Sequence, residues 1–358
     1  MSLYREQYIF AFSQLGFLIE GFLQHLGLTR GLKDDFFSAM RQSVEHNAWF
    51  TERSIRQALE AIAADMLSPA RLEAWLARYD TPAQALPGSV GIIMAGNIPL
   101  VGFHDLLCAL ASGRRAAVKL SSKDAFLLPA LVKLLQQIDH RFAQRVAFVD
   151  ELCGVDAVIA TGSNSAAPHF ELRYGALPHI FRRSRTGVAV ISGAESDEEL
   201  RLLARDALGY FGLGCRSVGK VFIPEGYDAL RLQPAFSSLA HLREHPPYAG
   251  CCRYAQALLQ MHRRDFLDLG GCLASFSDAL VSPVGVLFLQ RYRSAEELQG
   301  LLLPHEDQLQ CIATATPTAG LEPRCVPFGK AQRPRLTDYA DGVDTLRFLL
   351  DLGGEGFN

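Results

Sequence analysis

From the start to about residue 80, apolar positions recur every three or four residues, as in "DDFFSAMRQSVEHNAWF" and "SIRQALEAIAADML". That period gathers apolar side chains into one stripe of a helix, so several packed helices are expected, punctuated by Pro69 and Pro82. After Pro87 the rhythm changes. Short apolar runs, "SVGIIMA" (89–95), "RAAVKL" (115–120), "RVAFVD" (145–150), "DAVIAT" ending at Thr161 and "GVAVI" (187–191), predict strands. Helical stretches such as "LVGFHDLLCALASG" (100–113) and "DAFLLPALVKLLQQI" (124–138) lie between them. Such alternation predicts a parallel sheet covered by helices on both faces, with ligands held at the carboxyl ends of the strands. The loops Gly96–Pro99 and Gly162–Asn164 should therefore face a ligand.

A second α/β stretch follows. Ser196 and Glu199 form S-x-x-E, a capping box, and Leu200, Leu203, Ala207 and Phe211 continue one helical face. Gly212 and Gly214 stop that helix, "KVFIP" (220–224) resumes as a strand, and Cys215 falls at the junction. Beyond it the pattern predicts a helical 228–240, a loop around "REHPPYAGCC", a helix from Arg253, strand "VGVLFLQ" (284–290), a helix at 294–303 and an irregular tail from Gly329.

Length and composition then set limits. At 358 residues the chain is too long for one ordinary core, and 49% apolar with 20% charged residues is normal for a water-soluble protein. A net charge of −3 gives no basic field for nucleic acid. The first residues carry Arg5, Glu6 and Glu20 among apolar ones, unlike a signal peptide. No stretch approaches the roughly 18 apolar residues of a membrane span. Eight scattered cysteines without framework spacing suit reduced thiols, so a cytoplasmic location is expected.

The candidate chemistry begins with Cys215, which reads either as a small buried hydrophobe or as a nucleophilic thiolate with Arg216 and Lys220 nearby. Asn97, on a strand-to-helix turn, either caps the backbone or donates its amide to a developing oxyanion. Lys119, Ser121 and Ser122 end a strand where a ribose or phosphate is readily held, and Gly162 with Ser163 open a helix where a pyrophosphate fits. Neither standard glycine-rich phosphate loop is present at these turns. His241 and His245 have ligand spacing, but adjacent Cys251 and Cys252 do not suit one tetrahedral ion, so no metal is expected.

In order, "AGNIPL", "AAVKLSSKD", "DAVIATGSNSA", "TGVAVISG" and "GYFGLGCRSVGKVFIP" resemble the aldehyde dehydrogenase superfamily, and more closely its acyl-CoA reductases, the family of the luminescence fatty-acyl reductase. The likeness is clear from about residue 85 to 225 and weaker beyond. It implies an α/β, aldehyde-dehydrogenase-like fold: an N-terminal helical segment (1–80), a Rossmann-type dinucleotide-binding domain (81–207), a catalytic domain (208–330) and a C-terminal extension (331–358). Cys215 matches the nucleophile and Asn97 the oxyanion-hole amide. Lys119, Ser121 and Ser122 match residues beside the adenosine ribose, and Gly162 with Ser163 the turn at the pyrophosphate.

Departures from the superfamily pattern matter as much. Hydrolytic members carry a water-activating Glu in the segment aligned with "HIFRRSRTGVAV"; this chain has Phe181, Arg182, Arg183 and Ser184 there. Without that base an acyl-enzyme meets water slowly. Ser122 and Lys123 replace the carboxylate of NAD-preferring relatives, which favours a 2′-phosphate. The second ribose carboxylate would fall near Ala279, with Asp278 one place off. The resulting expectation is reduction of an acyl thioester, foremost acyl-CoA, to an aldehyde through a Cys215 acyl-enzyme. NADPH is the expected cofactor, NADH the alternative, and a homo-oligomer the expected assembly. An acyl-phosphate reductase and a non-catalytic partner subunit with a dehydrogenase fold are the competing readings.

Overall fold

In a computed structural model, which describes residues 3–24 and 30–352, the strand runs of the first half form one sheet. Its strands are β1 (Ser89–Ile93), β2 (Arg115–Lys119), β3 (Val146–Phe148), β4 (Ala157–Thr161) and β5 (His179–Arg182). They lie in the order β3-β2-β1-β4-β5, all parallel, with Ile92 opposite both Val118 and Ile159. Alternation along each strand divides the side chains. Val90, Ile92, Ala116, Val118, Ala157 and Ile159 join one core, and Val158 and Ala160 join another with Leu152, Phe170 and Tyr174. Both faces are thus covered, as an all-parallel sheet requires.

The larger core receives the N-terminal helices Leu3–Leu23, Arg30–His46, Glu52–Ala61 and Pro69–Leu76, along with Phe103–Ala111 and Leu127–Ile138. Helix Glu52–Ala61 starts sharply because Thr51 and Ser54 exchange side-chain and backbone hydrogen bonds. Five strands in the order 3-2-1-4-5 leave a switch point between β1 and β4, where doubly wound sheets bind their ligands.

The second sheet contains β6 (Thr186–Val190), β7 (Val218–Pro224), β8 (Leu267–Asp268), β9 (Leu273–Phe276), β10 (Val286–Tyr292), β11 (Leu309–Thr314) and β12 (Cys325–Val326). Their order is β12-β11-β6-β7-β10-β9-β8, and only β8 and β9 pair antiparallel. Ala189, Ile191, Val221, Ile223, Leu287 and Leu289 pack under helix Asp197–Leu208. Val188, Val190, Phe222 and Ile312 pack on the opposite side with Leu298 and Leu302.

These sheets define two units, one of the chain up to Arg183 together with that from Pro334, the other Ser184–Arg333. β6 pairs with β7 and β11, which places residues 184–208 in the second unit. The chain from Pro334 returns to the first unit. Asp344 caps a helix at Thr345–Asp351 that buries Leu346 and Leu349 in the first unit's core. Trp75 Nε1 donates to Tyr339 Oη at 2.7 Å, and Tyr79 Oη donates to Asp344 Oδ2 at 2.7 Å. Residues 353–358 of that extension lie outside the described residues.

Smaller differences have local causes. The helix expected from Arg253 begins at Pro246, because proline in a first helical turn loses no hydrogen bond. The helical 228–240 breaks into Ala229–Leu232 and Gln233–Ser237.

Candidate active site

Cys215 sits between helix Asp197–Leu208 and β7, at the junction expected from the sequence. Ser196 and Glu199 form the capping box that starts this helix. Its end is abrupt: Tyr210, Phe211 and Gly212 have φ of +51°, +57° and +76°. Two aromatic residues in the left-handed region cost about 1–2 kcal/mol each, so the surroundings must hold them. Phe211 stacks on His245 with ring centroids 4.4 Å apart and tilts against Tyr248 at 5.5 Å.

Cys215 itself is half-buried, on a turn closed by Ser217 N–H donating to Gly214 O at 2.9 Å and Gly214 N–H donating to Ser217 Oγ at 3.2 Å. Below the turn lies a polar network. Asp206, 1% exposed, accepts the N–H groups of Gly329 (2.6 Å) and Ala331 (3.1 Å). Gln332 Nε2 donates to Asp206 O and Ser217 Oγ, and Arg216 Nε donates to Ala331 O. Residues 329–332 are thereby fastened to both sides of the cysteine turn.

Burial pushes the Asp206 carboxyl up to about 7, outweighing its two N–H donors and Arg216. Between about pH 4 and 7 the unfolded chain releases this proton and the folded chain keeps it, so stability falls as pH rises. The loss is on the order of 4 kcal/mol, for a raise of about three units. Urea midpoints measured from pH 4 to 8 should show wild type losing stability relative to Asp206→Asn; a constant difference between the two would contradict this.

Burial pushes the thiols of Cys108, Cys252, Cys272 and Cys325 up, which disfavours their nucleophilic form. Cys311 is buried, with Sγ 3.7 Å from Arg216 O. Cys153 is exposed and Cys251 half-buried.

Lys220 is 1% exposed, and its Nζ donates to Asp278 O at 3.0 Å and Ala279 O at 3.1 Å. Burial pulls its pKa down to about 8 against the opposing charge of Asp278. The ammonium expected beside Cys215 is committed to the loop 277–283. Asp278 and Ala279 are both exposed on that loop.

In the first unit, the candidate ligand residues line the carboxyl ends of β1, β2 and β4. Exposed Asn97 follows β1 on the loop to helix Phe103–Ala111. Lys119 ends β2; Ser121 is half-buried, whereas Ser122 and Lys123 are exposed. Beyond β4, Ser163 and Ser165 share a hydrogen bond at 2.7 Å at the entry to helix Ala167–Tyr174. Gly162 lets that helix approach: a Cβ there would meet Phe170 at 2.8 Å. Hydroxyls and ammonium groups at the ends of β2 and β4, on either side of β1, form a donor set that fits a ribose and phosphates.

The segment that aligns with the water-activating Glu of hydrolytic members forms β5, the link at 183–185 and β6. Its Phe181 stacks on His179 at 3.9 Å. Arg182 pairs with Asp105 and donates to Thr345 Oγ1 at 2.7 Å, all three side chains buried. The segment has no carboxylate, and the Asp105 carboxylate is committed to Arg182. Among the described residues, no group of three or more His, Cys, Asp or Glu side chains is placed to hold a metal ion. None of the described helices is long and apolar enough to cross a membrane.

Sequence reasoning missed Asp206, Asp124 and the partners of Lys220 and Arg182. One signal was available: Lys220 interrupts the apolar run of "SVGKVFIP", and a charge in a buried strand needs partners.

A sequence model of a family described as acyl-CoA reductase (LuxC) matches residues 30–239. The long-chain acyl-protein thioester reductase of Aliivibrio fischeri is 30% identical over 124 residues, 30% of this chain and 26% of that protein. The chain thus spans about a quarter of the curated relative it matches. Among solved structures, aldehyde dehydrogenase 21 from Physcomitrella patens, in complex with succinate, has a TM-score of 0.64 at 13% identity, covering 95% of this chain and 84% of that one. Succinic semialdehyde dehydrogenase from Streptococcus pyogenes, with NADP+, gives 0.59 at 13% identity over 88% and 78%. A mutant propionaldehyde dehydrogenase from Clostridium phytofermentans gives 0.58 at 13% identity over 97% and 91%. At such identities the likeness is one of fold, and it is the aldehyde-dehydrogenase-like fold expected from the sequence.

Proposed function

Given that the chain belongs to the acyl-CoA reductase (LuxC) family, we propose that it reduces an acyl thioester, foremost an acyl-CoA, to the aldehyde through a thioester on Cys215. The Cys215 thiolate attacks the carbonyl carbon, and the amide of Asn97 with the Cys215 backbone N–H stabilises the oxyanion. The departing thiolate leaves an acyl group on Sγ. A reduced nicotinamide, when bound, supplies the hydride that this acyl group requires. The resulting thiohemiacetal on Cys215 collapses to aldehyde and regenerates the thiolate. Lys119, Ser121 and Ser122 would hold the adenosine ribose, and Gly162 with Ser163 the pyrophosphate.

The observation that carries this reading is the absence of a base in β5, where Arg182 engages the Asp105 carboxylate. Hydrolytic relatives activate water with a carboxylate from the aligned segment, so a chain without one there favours release of the acyl group by hydride. The test is a screen of acyl-CoA chain lengths and acyl phosphates with NADPH and NADH, following nicotinamide absorbance and product. Aldehyde from acyl-CoA supports the reading. Turnover of acyl phosphate alone, or carboxylic acid as the main product, contradicts it.

NADPH is the proposed cofactor because Ser122 and Lys123 place a hydroxyl and an ammonium group where a carboxylate would repel a 2′-phosphate. Ser122→Glu should lower kcat/KM for NADPH about tenfold, the effect of roughly 1.4 kcal/mol of like-charge repulsion, and spare NADH. An unchanged ratio of the two would remove Ser122 from the ribose site.

A further inference from the structure

The loop that carries Asn97 is pinned at two points, both by the turn that follows β2. At one end Gly96 lies against Ser121: a Cβ on Gly96 would stand 2.6 Å from Ser121 Oγ and 3.1 Å from Asp124 N. At the other end Leu100, whose φ is +57°, donates its N–H to Asp124 Oδ2 at 2.6 Å. A left-handed leucine is strained, and Pro99 before it has no N–H to offer; the Asp124 carboxylate holds the Leu100 N–H, while Leu100 O accepts from Phe103 N–H at 3.0 Å. Asn97 lies between the two pins. The turn is itself held, since Lys123 N–H donates to Ser121 Oγ at 3.2 Å, Asp124 N–H to Ser121 O at 3.0 Å, and Asn47 Nδ2 to Lys123 O at 3.0 Å.

Asp124 is a costly way to make one backbone contact. The side chain is 7% exposed, and its second oxygen, Oδ1, is buried with no hydrogen-bond partner among the described residues. Burial pushes the carboxyl up to about 6 despite the Leu100 N–H. A group serving only to fill space would be apolar.

We propose that Asp124 is a positioning residue that fixes the Asn97 amide through Leu100, and so links the turn that would hold the cofactor ribose to the loop that would hold the oxyanion. This rests on the reading of Asn97 given above. Loss of this hydrogen bond removes a restraint on the left-handed Leu100, and a shift there displaces the Asn97 amide from the place where the oxyanion would develop. An ångström of displacement there costs an oxyanion donor most of its effect.

The test is a double-mutant cycle on acylation, read as coenzyme A thiol released from octanoyl-CoA in a single turnover without nicotinamide. Asn97→Ala should slow acylation about a hundredfold. Asp124→Ala should slow it at least tenfold in the parent and less than threefold in the Asn97→Ala background. Asp124→Asn, which keeps an acceptor for Leu100, should stay within threefold of the parent. Equal slowing by Asp124→Ala in both backgrounds, or none in the parent, overturns the proposal. An unaffected Asn97→Ala overturns the oxyanion reading itself, a separate outcome. Should Asp124→Ala fail to fold, Asp124→Leu, which fills the site but offers Leu100 no acceptor, goes through the same cycle with the same expectations.

Discussion

Replacing Cys215 with serine is expected to reduce thioester-dependent nicotinamide oxidation by about a thousandfold or more, on the order of 4 kcal/mol of barrier. The size follows from the chemistry of the two groups. A thiol near neutral pH supplies appreciable thiolate, whereas a serine hydroxyl without a paired base supplies almost no alkoxide. Compensation by another cysteine is blocked where burial holds the thiol protonated, as at Cys108, Cys252, Cys272 and Cys325. The change should barely affect folding. Cys215 is half-buried on a turn whose hydrogen bonds run between Gly214 and Ser217, and serine leaves them intact. Stopped-flow oxidation of NADPH with acyl-CoA, alongside thermal unfolding, separates the two effects. Parent-like turnover by Cys215→Ser would end the acyl-enzyme mechanism.

Arg182→Met should destabilise the first unit by about 3–5 kcal/mol, because it leaves the Asp105 carboxylate buried without its counter-charge. Arg182 and Asp105 are each 5% exposed, and Arg182 also reaches Thr345 Oγ1. One guanidinium therefore joins β5, helix Phe103–Ala111 and helix Thr345–Asp351. Removing both charges in Arg182→Met/Asp105→Leu should restore most of the loss, since an apolar pair of similar volume replaces a desolvated ion pair. Denaturation midpoints of the parent, the single variant and the double variant decide this. A single variant within 1 kcal/mol of the parent would show that Arg182 carries no such load.

How legible all this was depended on how local each signal is. β1, β2, β4 and β6 appear as short apolar runs between turn residues, and the capping box of Ser196 and Glu199 marks a helix start within four residues. The order of those elements was enough for the fold. The unit boundary was not legible, because β6 is assigned by its partners β7 and β11, and β11 lies more than a hundred residues away. Helix Thr345–Asp351 was hidden in a stretch rich in glycine and turn residues, although Asp344 is an ordinary cap.

The candidate site divides in the same way. Cys215, Asn97 and the serines stand in recognisable local patterns. Their supports do not: Asp206 meets residues 329–332, Lys220 meets the carbonyls of 278 and 279, and Arg182 meets Asp105 and Thr345. Each contact spans dozens of residues or more, and a buried polar group reveals its partner only once the chain is folded.

The claim at the centre of this account is that the acyl group on Cys215 leaves by hydride and not by water. Mixing the protein with acyl-CoA without nicotinamide, then digesting and weighing the peptides, tests it directly. The account predicts one acyl group per chain, on the peptide containing Cys215, stable for many turnover times and released as aldehyde once NADPH is added. An unmodified Cys215, or rapid release of carboxylic acid before any NADPH arrives, would contradict it.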